Sequence, residues 1–168
     1  MIMLVATYFV VKNLLNLPLH KTKRIMGDIN WLSFILTMLI PMAVGFVYYG
    51  NFAFGKIWMK SIGMTEEKIK EANMGVTFGI SLLMAALMTF FLLNFNNSLG
   101  QEGEFDTFGH GAAHGAILSV FLVIPIFVTN GLFEQKSWTS ILLNCGYWIL
   151  TLALMGGVID VMHHWPNA

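Results

Sequence analysis

Two stretches decide the fold: Thr107–Phe133, TFGHGAAHGAILSVFLVIPIFVTNGLF, and Ser137–Ile159, SWTSILLNCGYWILTLALMGGVI. Neither contains an Asp, Glu, Lys or Arg, and only Glu134-Gln135-Lys136 separates them. Each exceeds the roughly 20 residues that a helix needs to cross about 30 Å of hydrocarbon. Both are continuously apolar rather than alternating, which reads as helix and not as barrel strand. The three-residue link makes them an antiparallel hairpin.

Working outward, two more charge-free runs appear, Ile29–Gly55 and Ala72–Gln101. The four runs predict membrane helices near 30–50, 75–95, 111–132 and 138–161. Composition agrees. The chain of 168 residues is 57% hydrophobic and 11% charged, with a mean hydropathy of +0.70. A soluble domain carries roughly 25% charged residues, so a disordered chain is excluded and a water-soluble globule is disfavoured. Nine Lys and Arg balance nine Asp and Glu, giving no basic excess to suggest nucleic acid as a partner. The single cysteine, Cys145, cannot form an intrachain disulfide and is expected to be buried.

The fold expected is all-α: a polytopic membrane protein of four transmembrane helices, with a further N-terminal helix that is either a fifth span or interfacial. The chain divides into a membrane-associated segment 1–28, a membrane domain 29–162 and a tail 163–168. Met1–Val11 is apolar but shorter than a span, Lys12 interrupts it, and His20–Arg24 is basic. Trp31, Trp138, Trp165, Tyr48 and Tyr49 stand where an interfacial aromatic belt would lie. Pro41 and Pro125 predict bends in the first and third helices.

The first loop reads as an amphipathic stretch, Phe54–Lys60, then a short helix over Met64–Glu71. Thr65 suits its N-cap, and Glu66 with Lys70 forms an i,i+4 pair. The loop 96–108 is acidic through Glu102, Glu104 and Asp106. The lysine balance between the two sides is nearly even. Placing Lys56, Lys60, Lys68, Lys70 and Lys136 in the cytoplasm follows the positive-inside tendency.

The order Asn30-Trp31, Tyr48-Tyr49-Gly50-Asn51, Phe54-Gly55-Lys56-Ile57-Trp58-Met59, Gly63-Met64-Thr65-Glu66-Glu67, Thr129–Glu134, Asn144-Cys145-Gly146-Tyr147-Trp148 and Met155-Gly156 resembles the bacterial membrane proteins grouped as domain-of-unknown-function family 1761. The resemblance covers about residues 29 to 160 and implies four membrane helices. It brings no activity with it. The residues before Asn30 and the histidines entering the third helix depart from the family's usual pattern.

Candidate chemistry gathers at one end. His110 and His114 lie four apart and so share a helix face. The hairpin places Asp160, His163 and His164, at the end of the fourth helix, on the same side of the membrane. Imidazoles with a carboxylate suit Zn²⁺, although no HExxH pattern is present. The plainer expectation is no cofactor, with histidines that cap helices and hydrogen-bond. Gly75 with Gly79, and Gly111 with Gly115, form small-residue stripes that let helix backbones approach. They are expected to pack helices within one chain or between chains. Asn130 and Asn144 are expected near one another, and Glu134 within reach of Lys56 or Lys60.

The function expected is non-enzymatic: a structural or accessory subunit of a membrane assembly, in the bacterial cytoplasmic membrane. Its partners would be the bilayer and further copies or other subunits. The alternatives are a small transporter or channel and a metal-binding membrane enzyme.

Overall fold

The structure is a computed structural model, and it describes residues 29–95 and 107–162. The segment 1–28, the acidic loop 96–106 and the tail 163–168 lie outside the described residues, as does the side chain of Glu66. Expectations that rest on them, including the N-terminal helix and the Glu66–Lys70 pair, are not tested.

Every regular element among the described residues is helical. In chain order they are α1 (Trp31–Tyr48), α2 (Gly55–Ser61), α3 (Glu66–Glu71), α4 (Met74–Phe95), α5 (Phe108–Leu118), α6 (Ile124–Phe133) and α7 (Trp138–Val161). A π-helical segment, Ser119–Val123, joins α5 to α6, so Phe108–Phe133 runs as one rod. Among the described residues, that rod, α1, α4 and α7 are the four helices long and apolar enough to cross a membrane. The protein is an all-α polytopic membrane protein.

Local chemistry sets the ends. Asn30 caps α1 by accepting from the Ser33 amide at 3.0 Å. Thr65 caps α3, accepting from the Lys68 amide. The Glu67 carboxyl is held below the usual carboxylate range, chiefly by its own backbone amide and then by the Thr65 hydroxyl. Thr107 caps α5 and Ser137 caps α7. Thr107 also explains why the third membrane helix begins at Phe108 rather than at 111. At the hairpin, Gln135 takes a left-handed φ of 55°, and the Lys136 amide returns to the Gly131 carbonyl at 2.9 Å. This is a Schellman-type stop.

α7 is the hub of the bundle. Of its membrane-length window 39% is buried, against 17% for α1, 17% for α4 and 11% for the α5–α6 rod. Leu92 from α4 joins Leu152, Met155 and Ile159 of α7 in the core. Large side chains such as Phe46, Phe121 and Phe133 point outward at 79%, 77% and 87% exposure. Such an outer surface is solvated by lipid rather than water. The interior, by contrast, carries buried Ser33, Thr37, Thr89, Ser119, Ser140 and Thr151. Small hydroxyl residues occupy little width, which lets membrane helices come close.

The closest approach is between α5 and α7. A Cβ on Gly111 would collide with the Gly156 carbonyl, one on Gly115 with the Leu152 carbonyl, and one on Gly156 with the Gly111 carbonyl. Further along the rod, a Cβ on Gly131 would come within 2.7 Å of Ile141. A regular helix could not present all of these glycines to α7. Gly131 lies twelve residues beyond Ser119, which at about 100° per residue leaves it about 120° off the face. The π-helical segment absorbs one residue, as π-bulges do, and reduces the offset to about 20°. The Ile124 amide reaches back five residues to the Ser119 carbonyl. Pro125 gives the local cause, since a proline has no amide to donate and its ring clashes with the carbonyl four residues back. The expected bend at Pro125 thus takes the form of one widened turn just before it.

Candidate functional site: the histidine end of the bundle

Three helix ends meet on one side. The Asn30 side-chain amide donates to the Met162 carbonyl at 2.9 Å, which ties the start of α1 to the end of α7. Phe108, opening α5, lies against Gly157, where a Cβ would stand 2.6 Å from the ring. His110 follows on the first turn of α5, and its amide donates to the Thr107 hydroxyl at 3.3 Å.

His110 Nδ1 stands 2.9 Å from Asp160 Oδ2. In the tautomer that carries its proton on Nδ1, the imidazole donates this hydrogen bond and the carboxyl oxygen accepts it. The Asp160 side chain is 7% exposed and that of His110 35%. Gly111 makes room for the carboxyl group, since a Cβ there would lie 2.7 Å from Asp160 Cγ. Asp160 therefore sits against the first turn of α5, where the positive end of the helix dipole favours an anion. The ring of His114 lies one turn further along, its centroid 4.2 Å from that of His110 at a tilt of 57°. Phe95 of α4 meets His114 edge-on. His114 Nδ1 is buried and has no hydrogen-bond partner among the described residues.

The structure thus brings together His110, His114 and Asp160. His163 and His164 lie outside the described residues. Among the described residues, no three His, Cys, Asp or Glu side chains are gathered closely enough to hold a metal ion. Of the glycines singled out by sequence, Gly111 and Gly115 lie at the α5–α7 crossing, whereas among the described residues a Cβ on Gly79 would meet nothing and one on Gly75 only the nearby Asn73 side chain.

The opposite end of the bundle holds contacts that sequence reasoning missed. The Tyr49 hydroxyl donates to Asn144 Oδ1 at 2.8 Å, and the Tyr147 hydroxyl donates to the Pro41 carbonyl at 2.8 Å. Tyr48, Tyr49, Tyr147, Trp148 and Trp58 form a chain of ring contacts around these bonds. Burial, with smaller contributions from Tyr147, Tyr48 and Cys145, pushes the Tyr49 hydroxyl far above the usual phenol range, so it remains a donor. Two sequence expectations are corrected here. Asn144 pairs with Tyr49 rather than Asn130, which is exposed. Glu134 pairs with Lys136, two residues on, rather than with Lys56 or Lys60. The short turn already holds those two charges side by side, so no long reach is needed. Cys145 is buried and free.

These features define a membrane protein whose four described spans carry small hydroxyl side chains between them and hydrogen-bonded polar clusters towards each end. The chain belongs to the family described as a protein of unknown function, DUF1761, which matches residues 32–159. No curated protein and no solved structure matches it.

Proposed function

We propose that this protein is a non-enzymatic structural or accessory subunit of a membrane assembly, resident in the bacterial cytoplasmic membrane. One observation carries the reading. α4 sends its Gly75/Gly79 stripe away from its own bundle, with open space at Gly79, while the corresponding stripe on α5 is used internally. Small residues on a lipid-facing helix admit a partner helix at close range. The polar side chains support the same reading, because Asn30, Tyr49, Tyr147 and His110 each bind a group on another helix.

The test is Gly79→Leu, with particle mass measured after extraction into lipid nanodiscs. The wild type is expected as an assembly larger than one chain, and the variant as a single chain with an unchanged unfolding temperature. Equal particle masses for the two proteins would overturn the role of α4.

A second reading, metal binding that serves transport or catalysis, rests on Asp160, because a shielded carboxylate on a membrane helix is costly and commonly functional. His110, His114 and Asp160 would then need a further donor, for which His163 and His164 are the candidates. Metal analysis of protein purified without a histidine tag decides it. About one equivalent of zinc, lost in His110→Ala/His114→Ala, would favour this reading. Metal content near zero in both proteins would leave the accessory role in place.

A further inference from the structure

The short helix α2 begins against the end of one span and finishes against the start of another. The Gly55 amide donates to the Gly50 carbonyl at 3.1 Å, and a Cβ on Gly55 would collide with the carbonyl of Tyr49, the C-cap of α1. At the other end the hydroxyl of Ser137, the N-cap of α7, donates to the Ser61 carbonyl at 3.1 Å. The seven residues of α2 make a helix of about 10 Å. That is close to the roughly 8–10 Å between two packed helix axes. α2 therefore lies across the ends of α1 and α7, in the plane of the membrane surface. At about 100° per residue its faces separate. Trp58 turns inward, its ring centroid 5.0 Å from that of Tyr49. Lys56 and Lys60 share the opposite face, and both are exposed. Exposed Ile57 forms the flank beside them, and exposed Phe52 lies just before the helix.

We propose that the Lys56/Lys60 face of α2 binds the headgroup phosphate of an anionic phospholipid. α2 contains no acid, and neither lysine has an ion-pair partner among the described residues. The other lysines at this end are accompanied by carboxylates: Lys136 pairs with Glu134, and Glu67 and Glu71 share α3 with Lys68 and Lys70. Side chains one turn apart stand about 5–6 Å from Cβ to Cβ, so the two ammonium groups can bracket one phosphate. Lysine binds phosphate as a point charge, and basic residues held at a bilayer surface attract anionic lipid. The apolar flank favours a lipid over a soluble acidic partner, because Ile57 and Phe52 offer the acyl chains a surface beside the charges. A zwitterionic headgroup carries its own cation next to its phosphate. The face therefore selects for net negative charge and not for phosphate alone.

The experiment uses the full chain in detergent micelles holding equal amounts of phosphatidylglycerol and phosphatidylcholine. Native mass spectrometry counts the lipids retained on each chain. Phosphatidylglycerol is expected to be retained about tenfold over phosphatidylcholine, and Lys56→Gln/Lys60→Gln to bring the two near parity. Both lysines are exposed, so helical circular dichroism is expected to stay the same in the variant. Lys68→Gln/Lys70→Gln, which removes the same charge from α3, is expected to keep the preference. Excess inorganic phosphate or a soluble acidic peptide, at matched ionic strength, is expected to leave the lipid in place. Equal retention of the two lipids by the wild type would overturn the proposal, as would a preference that survives Lys56→Gln/Lys60→Gln. An equal loss in the α3 variant would mean that overall charge, and not this face, attracts the lipid. Displacement by phosphate or by the peptide would assign the face to a soluble anion or to a protein partner, and overturn the lipid.

Discussion

Replacing Gly115 with leucine is expected to lower the stability of the bundle by more than about 3 kcal/mol, at the upper end of what overpacking costs. The first side-chain carbon alone would collide with the Leu152 carbonyl and crowd the Ala153 amide. Both are main-chain atoms of α7, so no rotamer change relieves the clash. α5 would have to move away, loosening Gly111 from Gly156 and His110 from Asp160 at the same time. For a protein of this size a loss of 3 kcal/mol corresponds to a fall in unfolding temperature of about 10 °C. Thermal unfolding in one detergent, followed by circular dichroism, measures it. Gly109→Leu, on the same helix, is the matched control, since a Cβ there meets none of the described residues. If Gly115→Leu and Gly109→Leu unfold at the same temperature, the α5–α7 crossing is not where the bundle's stability resides.

Insertion of one alanine between Phe121 and Leu122 is expected to cost a similar amount, more than about 3 kcal/mol. The π-helical segment already takes up one residue so that Gly115 and Gly131 both face α7. A second extra residue turns one half of the rod by about 100° relative to the other. Either Gly131 then leaves Ile141 or Gly115 leaves Leu152. The opposite change is expected to be mild. Deleting Phe121 together with Pro125→Ala removes one outward-facing ring and the proline, both exposed. What remains is a regular helix with the two glycine faces in register, within about 1–2 kcal/mol of the parent. The unfolding temperatures of the two variants, measured side by side, check the register argument. An insertion as mild as the deletion would refute it.

The four membrane helices were legible because lipid excludes charge. The gaps between charged residues predicted 75–95 and 138–161, and the structure has 74–95 and 138–161. The start of the third helix was misplaced by three residues, because a threonine cap ends the loop before the glycine-rich run begins. The widened turn at Ser119–Val123 was not read. Its signal was present in the mismatch between the 111/115/119 spacing and Gly131, but a small-residue pattern reveals its partner face only once the neighbouring helix is known. At the histidine end, the short hairpin was enough to put His110 and Asp160 on one side. The distance between them depended on Gly111 and Gly156 letting the helices touch, which spacing alone does not give. The Tyr49–Asn144 and Tyr147–Pro41 bonds join residues about a hundred positions apart. Tyrosine tips at a membrane surface have many partners to choose from, so only the crossing of α1 with α7 selects these.

The bond between Asn30 and Met162, 2.9 Å long, makes the four-helix unit almost a closed ring. Its opening and closing residues are neighbours, and the seam between them is held by a side chain rather than by the backbone. The order in which the helices follow one another is then a matter of where the ring is cut. A circular permutant opened at Gln135, in the turn between α6 and α7, with a flexible linker joining the present ends, would keep every helix in its place. In such a chain α7 would be made first, and the other three helices would assemble around a hub already in the membrane.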